Sequence, residues 1–168
     1  MIWWLRIPLE KIFCFRPIRR LWRLYEQVNG KPVKSEIVFN TPIVLYTRSA
    51  VAQALVTSEI ASVQDRVFYV DMEKLTAEIE QGTSWADLGL PQLYGSVTVG
   101  TTDPTQSNSG NMFAGLIANT LSGGVADQNN VNTILPRLQD IFQKLGYMES
   151  SSADLFDQFL KPVWGPSP

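Results

Sequence analysis

Gly95-Ser96-Val97-Thr98-Val99-Gly100-Thr101-Thr102-Asp103-Pro104-Thr105-Gln106-Ser107-Asn108-Ser109-Gly110-Asn111-Met112-Phe113-Ala114-Gly115-Leu116-Ile117 is the stretch on which the fold turns. Its first part, Gly95–Val99, is β-rich. Its last part, from Met112, is apolar. Between them the residues are small or polar, and Pro104 sets a turn. The pattern is strand, polar loop, helix, with the helix starting near Ser109-Gly110. The first N–H groups of that helix have no partner within it and point at the loop. With the positive end of the helix dipole, they suit a carboxylate, sulfate or phosphate. Side chains of Thr105, Ser107, Asn108 and Ser109 complete such a cradle, and Gly110 lets a ligand or another backbone come close. Ser and Asn ahead of an apolar helix are also ordinary N-caps, so capping stands beside ligand binding as a reading of the same residues.

Composition removes several classes of chemistry. The 168 residues are 45% hydrophobic and 18% charged, the make-up of a folded domain with a core. There is no histidine, so Ser-His-Asp and Cys-His catalysis and histidine metal sites are out. A single cysteine, Cys14, excludes an internal disulfide and a cysteine metal cluster. There is no Ser-x-x-Lys, no Gly-x-Ser-x-Gly elbow and no phosphate-binding Walker loop. The expectation is a protein that is not an enzyme and carries no cofactor and no metal.

Charge is uneven along the chain. Residues 1–30 hold six basic and two acidic side chains, a balance of +4, while the remainder carries −6. An acidic body argues against nucleic acid as a partner. Residues 1–30 mix Trp3, Trp4, Phe13, Phe15 and Trp22 with Arg6, Lys11, Arg16, Arg19, Arg20 and Arg23. Pro8 and Pro17 interrupt any long helix, and charges stop the apolar run well short of a membrane span. No small-residue cleavage site follows, so it is not a usable signal peptide. Such a basic aromatic segment suits an anionic membrane surface or a protein partner; packing on the domain is the other reading.

Further along, residues 35–47 read as a strand broken by Pro42. Ser49 caps a helix through Val56, extending towards Ile60. Val67–Val70 is a short strand, and Asp71 opens a helix that Gly82 stops. The central helix ends at Gly123-Gly124. Val131, Ile134, Leu135, Leu138, Ile141, Phe142 and Leu145 form an amphipathic stripe that starts near Asn132 and ends at Gly146. Ser151 or Ser152 caps a last short helix carrying Leu155, Phe156, Phe159 and Leu160. Strands alternating with helices predict an α/β fold, a small mostly parallel sheet flanked by helices. In such sheets ligands sit beyond the strands' carboxyl ends, where Asp103–Gly110 falls.

From residue 36 to about 160 the sequence resembles bacterial extracellular solute-binding proteins, the two-lobed periplasmic-binding-protein-like class (type 2). The resemblance rests on Phe39-Asn40-Thr41-Pro42-Ile43-Val44-Leu45-Tyr46, on Thr83-Ser84-Trp85-Ala86-Asp87-Leu88, and on Thr102-Asp103-Pro104-Thr105-Gln106-Ser107-Asn108-Ser109-Gly110. Leu145–Ser152 fits as well. It implies that residues 31–168 form one lobe of a two-lobe fold, that 36–47 is the strand crossing between lobes, and that residues 1–30 lie apart. It implies a small polar or anionic solute held by Thr41, Thr105, Ser107, Asn108, Ser109 and Gly110. It further implies transporter components as partners and an extracellular or periplasmic location. The first lobe of the family is missing, which suggests a truncated chain or an isolated lobe, with self-association through the apolar surface left uncovered.

Overall fold

The computed structural model describes the backbone of residues 2–6 and all of residues 26–31 and 43–161. The chain divides into two compact units, Met1–Met72 and Glu73–Pro168.

In the first unit, the apolar run Val67–Val70 forms β4, paired with β3 (Ala61–Gln64). Asp65 and Arg66 join them, both with positive φ (48° and 63°). That is the two-residue turn whose twist matches the strands, and it forces an antiparallel pair. On the other side of β4 lies β1 (Ile2–Arg6), parallel to it, with Leu5 opposite Phe68. The outer strand β2 (Val44–Arg48) runs antiparallel to β1, with Trp4 opposite Tyr46. The sheet order is therefore β2-β1-β4-β3. Two of its three ladders are antiparallel, which corrects the expectation of a mostly parallel sheet. The chain reverses directly from β3 into β4, too tightly for the crossover a parallel pair requires. Ile2–Arg6, read from sequence as part of the basic aromatic segment, is an inner strand.

Helix α1 (Ser49–Thr57) follows β2 without a loop and buries Ala52, Ala54 and Leu55. It stops before Ile60. Glu59 turns left-handed (φ 57°), Ile60 N–H donates to Leu55 O and Glu59 N–H to Val56 O. This closing motif satisfies the last carbonyls and drops Ile60 into the core, 2% exposed.

In the second unit, α2 (Met72–Gln81) ends at Gly82, whose φ is 71°. The main packing is between α3 (Asn108–Ser122) and α4 (Val131–Leu145). Phe113 and Phe142 meet edge to face, with ring centres 6.2 Å apart. Leu116, Ile117, Ile134, Ile141 and Leu145 are buried. Gly123, at φ 65°, ends α3 as the Gly pair predicts. Pro136 lies inside α4 on its exposed side. The last helix, α5 (Ser152–Leu160), starts where the serines predict.

The expected strand Gly95–Val99 is not formed. Ser96 makes a single bridge to Ser84, supported by Trp85 N–H to Gly95 O and Val97 N–H to Thr83 O. The pairing cannot extend, because the partner segment turns immediately: Ser84 Oγ donates to the Asp87 carboxylate and accepts from Asp87 N–H. The turn at Thr83–Leu88 thus ends the ladder it begins. The expectations for residues 7–25, 32–42 and 162–168, the crossing strand's first part and Thr41 among them, lie outside the described residues. Among the described residues no helix is long and apolar enough to cross a membrane.

Candidate functional site

The polar loop is built around Asp103. One carboxylate oxygen accepts from Thr105 N–H (2.7 Å) and Thr105 Oγ1 (2.6 Å); the other accepts from Gln106 Nε2 (2.8 Å). Its carbonyl accepts from Gln106 N–H and Ser107 N–H. This is the Asx-type turn expected of Asp before Pro. The Thr105 hydroxyl, then the Thr105 amide, then Gln106 hold the Asp103 carboxyl below the usual carboxylate range. The same bonds engage Thr105 in shaping the loop.

A parallel bridge sets what the loop faces. Thr102 pairs with Glu149: Asp103 N–H donates to Glu149 O, and Glu149 N–H donates to Thr101 O. Two segments running the same way each lead into a helix, so α3 and α5 begin side by side. Their serines meet. Ser109 Oγ lies 2.5 Å from Ser152 Oγ, 2.8 Å from Ser107 Oγ and 3.1 Å from Thr102 Oγ1. One hydroxyl offers one proton and two lone pairs, so Ser109 is the saturated hub of this network.

The two helix starts differ. At α5, Ser151 Oγ accepts from Asp154 N–H in the usual cap. At α3, Ser107 has the extended backbone of a cap (φ −122°, ψ 134°) but no side-chain capping bond. Its hydroxyl is given to Ser109 instead. The first turn of α3 therefore keeps its backbone donors free of a side-chain cap. Asn108, Ser109, Thr105 and Gln106 are exposed at this surface.

Gly110 has a structural duty. A Cβ there would overlap the carbonyl oxygen of Thr102 and lie 2.8 Å from the carbonyl carbons of Thr102 and Asp103. What comes close at Gly110 is the chain's own backbone. Of the sequence-expected residues, Ser107, Asn108 and Ser109 come together at the start of α3, Thr105 is bound to Asp103, and Gly110 is buried behind them. Sequence reasoning missed Thr102, Glu149 and Ser152. The signal was present for Ser152, since Ser150-Ser151-Ser152 is a second polar helix start. Nothing local says that two such starts, forty-three positions apart, touch.

The electrostatics of the site are also readable. No lysine or arginine occurs between Lys74 and Arg137. The side-chain charges closest in sequence to the hydroxyl cluster are carboxylates, Asp103 and Asp154 among them. The two helix starts contribute positive potential of their own. Among the described residues no group of histidine, cysteine and carboxylates could hold a metal ion.

A second concavity lies among α2, α3 and α4. It is a cleft of about 100 Å³ lined by Glu73, Thr76, Ala77, Glu80, Thr120, Leu121 and Arg137. Arg137 bonds Glu80 through Nε (2.8 Å) and Nη2 (2.7 Å), and Lys144 Nζ donates to Glu80 O. Thr76 is 1% exposed, and its hydroxyl has no hydrogen-bond partner.

Compared with known proteins, the chain matches no family, no curated protein and no solved structure.

Proposed function

We propose that this chain is a solute-binding lobe that holds a small polar molecule at the joined starts of α3 and α5. The observation that carries the reading is the uncapped start of α3 beside the Ser109–Ser152 hydroxyl pair. Backbone N–H groups of the first turn donate to the electronegative atoms of a ligand. The hydroxyls of Ser107 and Ser152, held by the Ser109 hub, reorient to donate or accept, and the exposed amide of Asn108 adds both kinds of group. No bond is made or broken, and no cofactor takes part. The absence of a basic side chain from Leu75 to Pro136 favours hydroxyl-bearing or singly charged solutes over multiply charged anions.

The resemblance of residues 36–160 to extracellular solute-binding proteins supports the same reading. In that scheme the lobe is half of a clamshell, the second lobe supplies the facing wall, and delivery to membrane transporter components follows outside the cytoplasm. Binding energy is then shared between halves, and one half alone binds weakly.

A thermal-shift screen of the whole chain against sugars, amino acids, carboxylates and inorganic anions tests this. At a hundredfold excess over Kd a ligand stabilises by about 2.7 kcal/mol. The expected result is a shift that falls away in Ser109→Ala and in Asn108→Ala. A protein that melts cooperatively but shifts with none of them, or whose shift survives both substitutions, overturns the assignment.

A further inference from the structure

Glu73, Thr76, Ala77 and Glu80 repeat at the spacing of one helix face, and this face of α2 forms a wall of the cleft it shares with α3 and α4. Thr76 is the residue on it that packing leaves unexplained. Among the described residues its hydroxyl oxygen is the one buried side-chain polar atom without a hydrogen-bond partner. A helical threonine has a ready acceptor in the carbonyl four residues back. Thr57 donates to Gln53 O and Thr120 to Leu116 O, each at 3.0 Å. Thr76 has Met72 O at the same spacing and makes no such bond. A buried hydroxyl left in this way loses its hydration and gains nothing in return.

We propose that this cleft is a binding site for a small primary amide, whose carbonyl oxygen accepts from the Thr76 hydroxyl and whose N–H groups donate to Thr120 Oγ1. The two threonines on its walls offer opposite chemistry. Thr76 has a proton to give. Thr120 has spent its only proton on Leu116 O and presents lone pairs alone. A primary amide is the small neutral group that carries an acceptor and donors side by side. A carboxylate would set an oxygen against the Thr120 lone pairs, and it would lie among the carboxylates of Glu73 and Glu80. An amidinium would leave the Thr76 proton without an acceptor. Arg137 and Glu80 meet in a two-bond fork, so this part of the lining carries no net charge. Ala77 and Leu121 supply the apolar lining for a short carbon stem. A cavity of about 150 Å³ holds benzene, so about 100 Å³ admits about four non-hydrogen atoms, the size of acetamide. The site shares no residue with the Ser109 cluster and operates whether or not a solute occupies that loop.

Acetamide, acetate and acetamidinium have the same shape and differ in charge and donor pattern, so the three test the site on the full chain at matched ionic strength. Followed by backbone amide NMR, acetamide should shift signals of Thr76, Ala77, Thr120, Leu121 and Arg137 and saturate with a Kd on the order of millimolar, as expected of so small a ligand. Acetate and acetamidinium should bind at least about tenfold more weakly, since each leaves a buried group unpaired. Thr76→Val keeps the shape and drops the hydroxyl. It should leave Tm equal or higher, because no bond within the chain is lost, and weaken acetamide at least about tenfold. The comparison of the three compounds on the parent chain carries the test alone if Thr76→Val does not fold. Shifts that do not saturate or that fall elsewhere, equal binding of the three compounds, or acetamide binding that survives Thr76→Val overturns the proposal.

Discussion

The starts of α3 and α5 carry nearly the same sequence chemistry and use it in opposite ways. Both begin with serines after an extended segment, and a parallel bridge places them side by side. At α5 the cap serine serves its own helix: Ser151 takes Asp154 N–H and gives its proton to the Asp154 carboxylate. At α3 the cap serine serves its neighbour: the Ser107 hydroxyl goes to Ser109 and through it to Ser152. A helix start whose side chain closes on itself is finished structure. One whose side chain is turned outward keeps donors for something else, and it must be held in place by other means. Those means are Asp103, which ties the loop, and Gly110, which lets the helix lie on the Thr102 carbonyl.

The largest effect is expected from Gly110→Ala. The added methyl must displace backbone at Thr102 and Asp103. A better helix former offsets part of the strain, leaving a net loss of about 2–3 kcal/mol. In a chain of this size that lowers Tm by roughly 4–12 °C in a calorimetric melt. A Tm within a degree of the parent would mean that α3 does not rest on that carbonyl.

Next comes Ser151→Ala, which removes a true cap and costs about 1 kcal/mol in urea denaturation. Smaller again is Asp103→Asn, read through pH. The Asp103 pKa is depressed in the folded chain, so its contribution is fully present above the unfolded value and is lost as pH falls through the folded one. The stability gap between parent and Asp103→Asn should therefore be constant near neutrality and close below about pH 4. A gap that widens in acid contradicts the depressed pKa. The smallest effect is Ser107→Ala, within about 0.5 kcal/mol, because no capping bond is lost. If it costs as much as Ser151→Ala, the two helix starts are alike after all and the comparison fails.

The helices were legible because their signals are local. Ser49, Gly82, Gly123, Gly146 and Ser151 mark boundaries that the structure reproduces within a residue or two. The strands were less so. Gly95–Val99 has strand composition but meets only a turning partner, so it keeps one bridge. Ala61–Gln64 and the Asp65-Arg66 turn escaped notice because neither turn residue is a glycine or asparagine. Ile2–Arg6 was hidden by Pro8 and its basic neighbours, yet strand pairing asks only for a free backbone beside β2 and β4.

By itself the sequence determined where helices begin and end, that no histidine or cysteine cluster supports catalysis, and that a polar loop precedes α3. Capping, periodicity and composition act within a few residues, so they survive without knowledge of the fold. Only the tertiary structure decided that Ser109 meets Ser152, that Gly110 lies against the Thr102 carbonyl, and that the Ser107 hydroxyl leaves its cap. The first of these accompanies the pairing of Thr102 with Glu149, a bond between distant parts of the chain that no local pattern encodes.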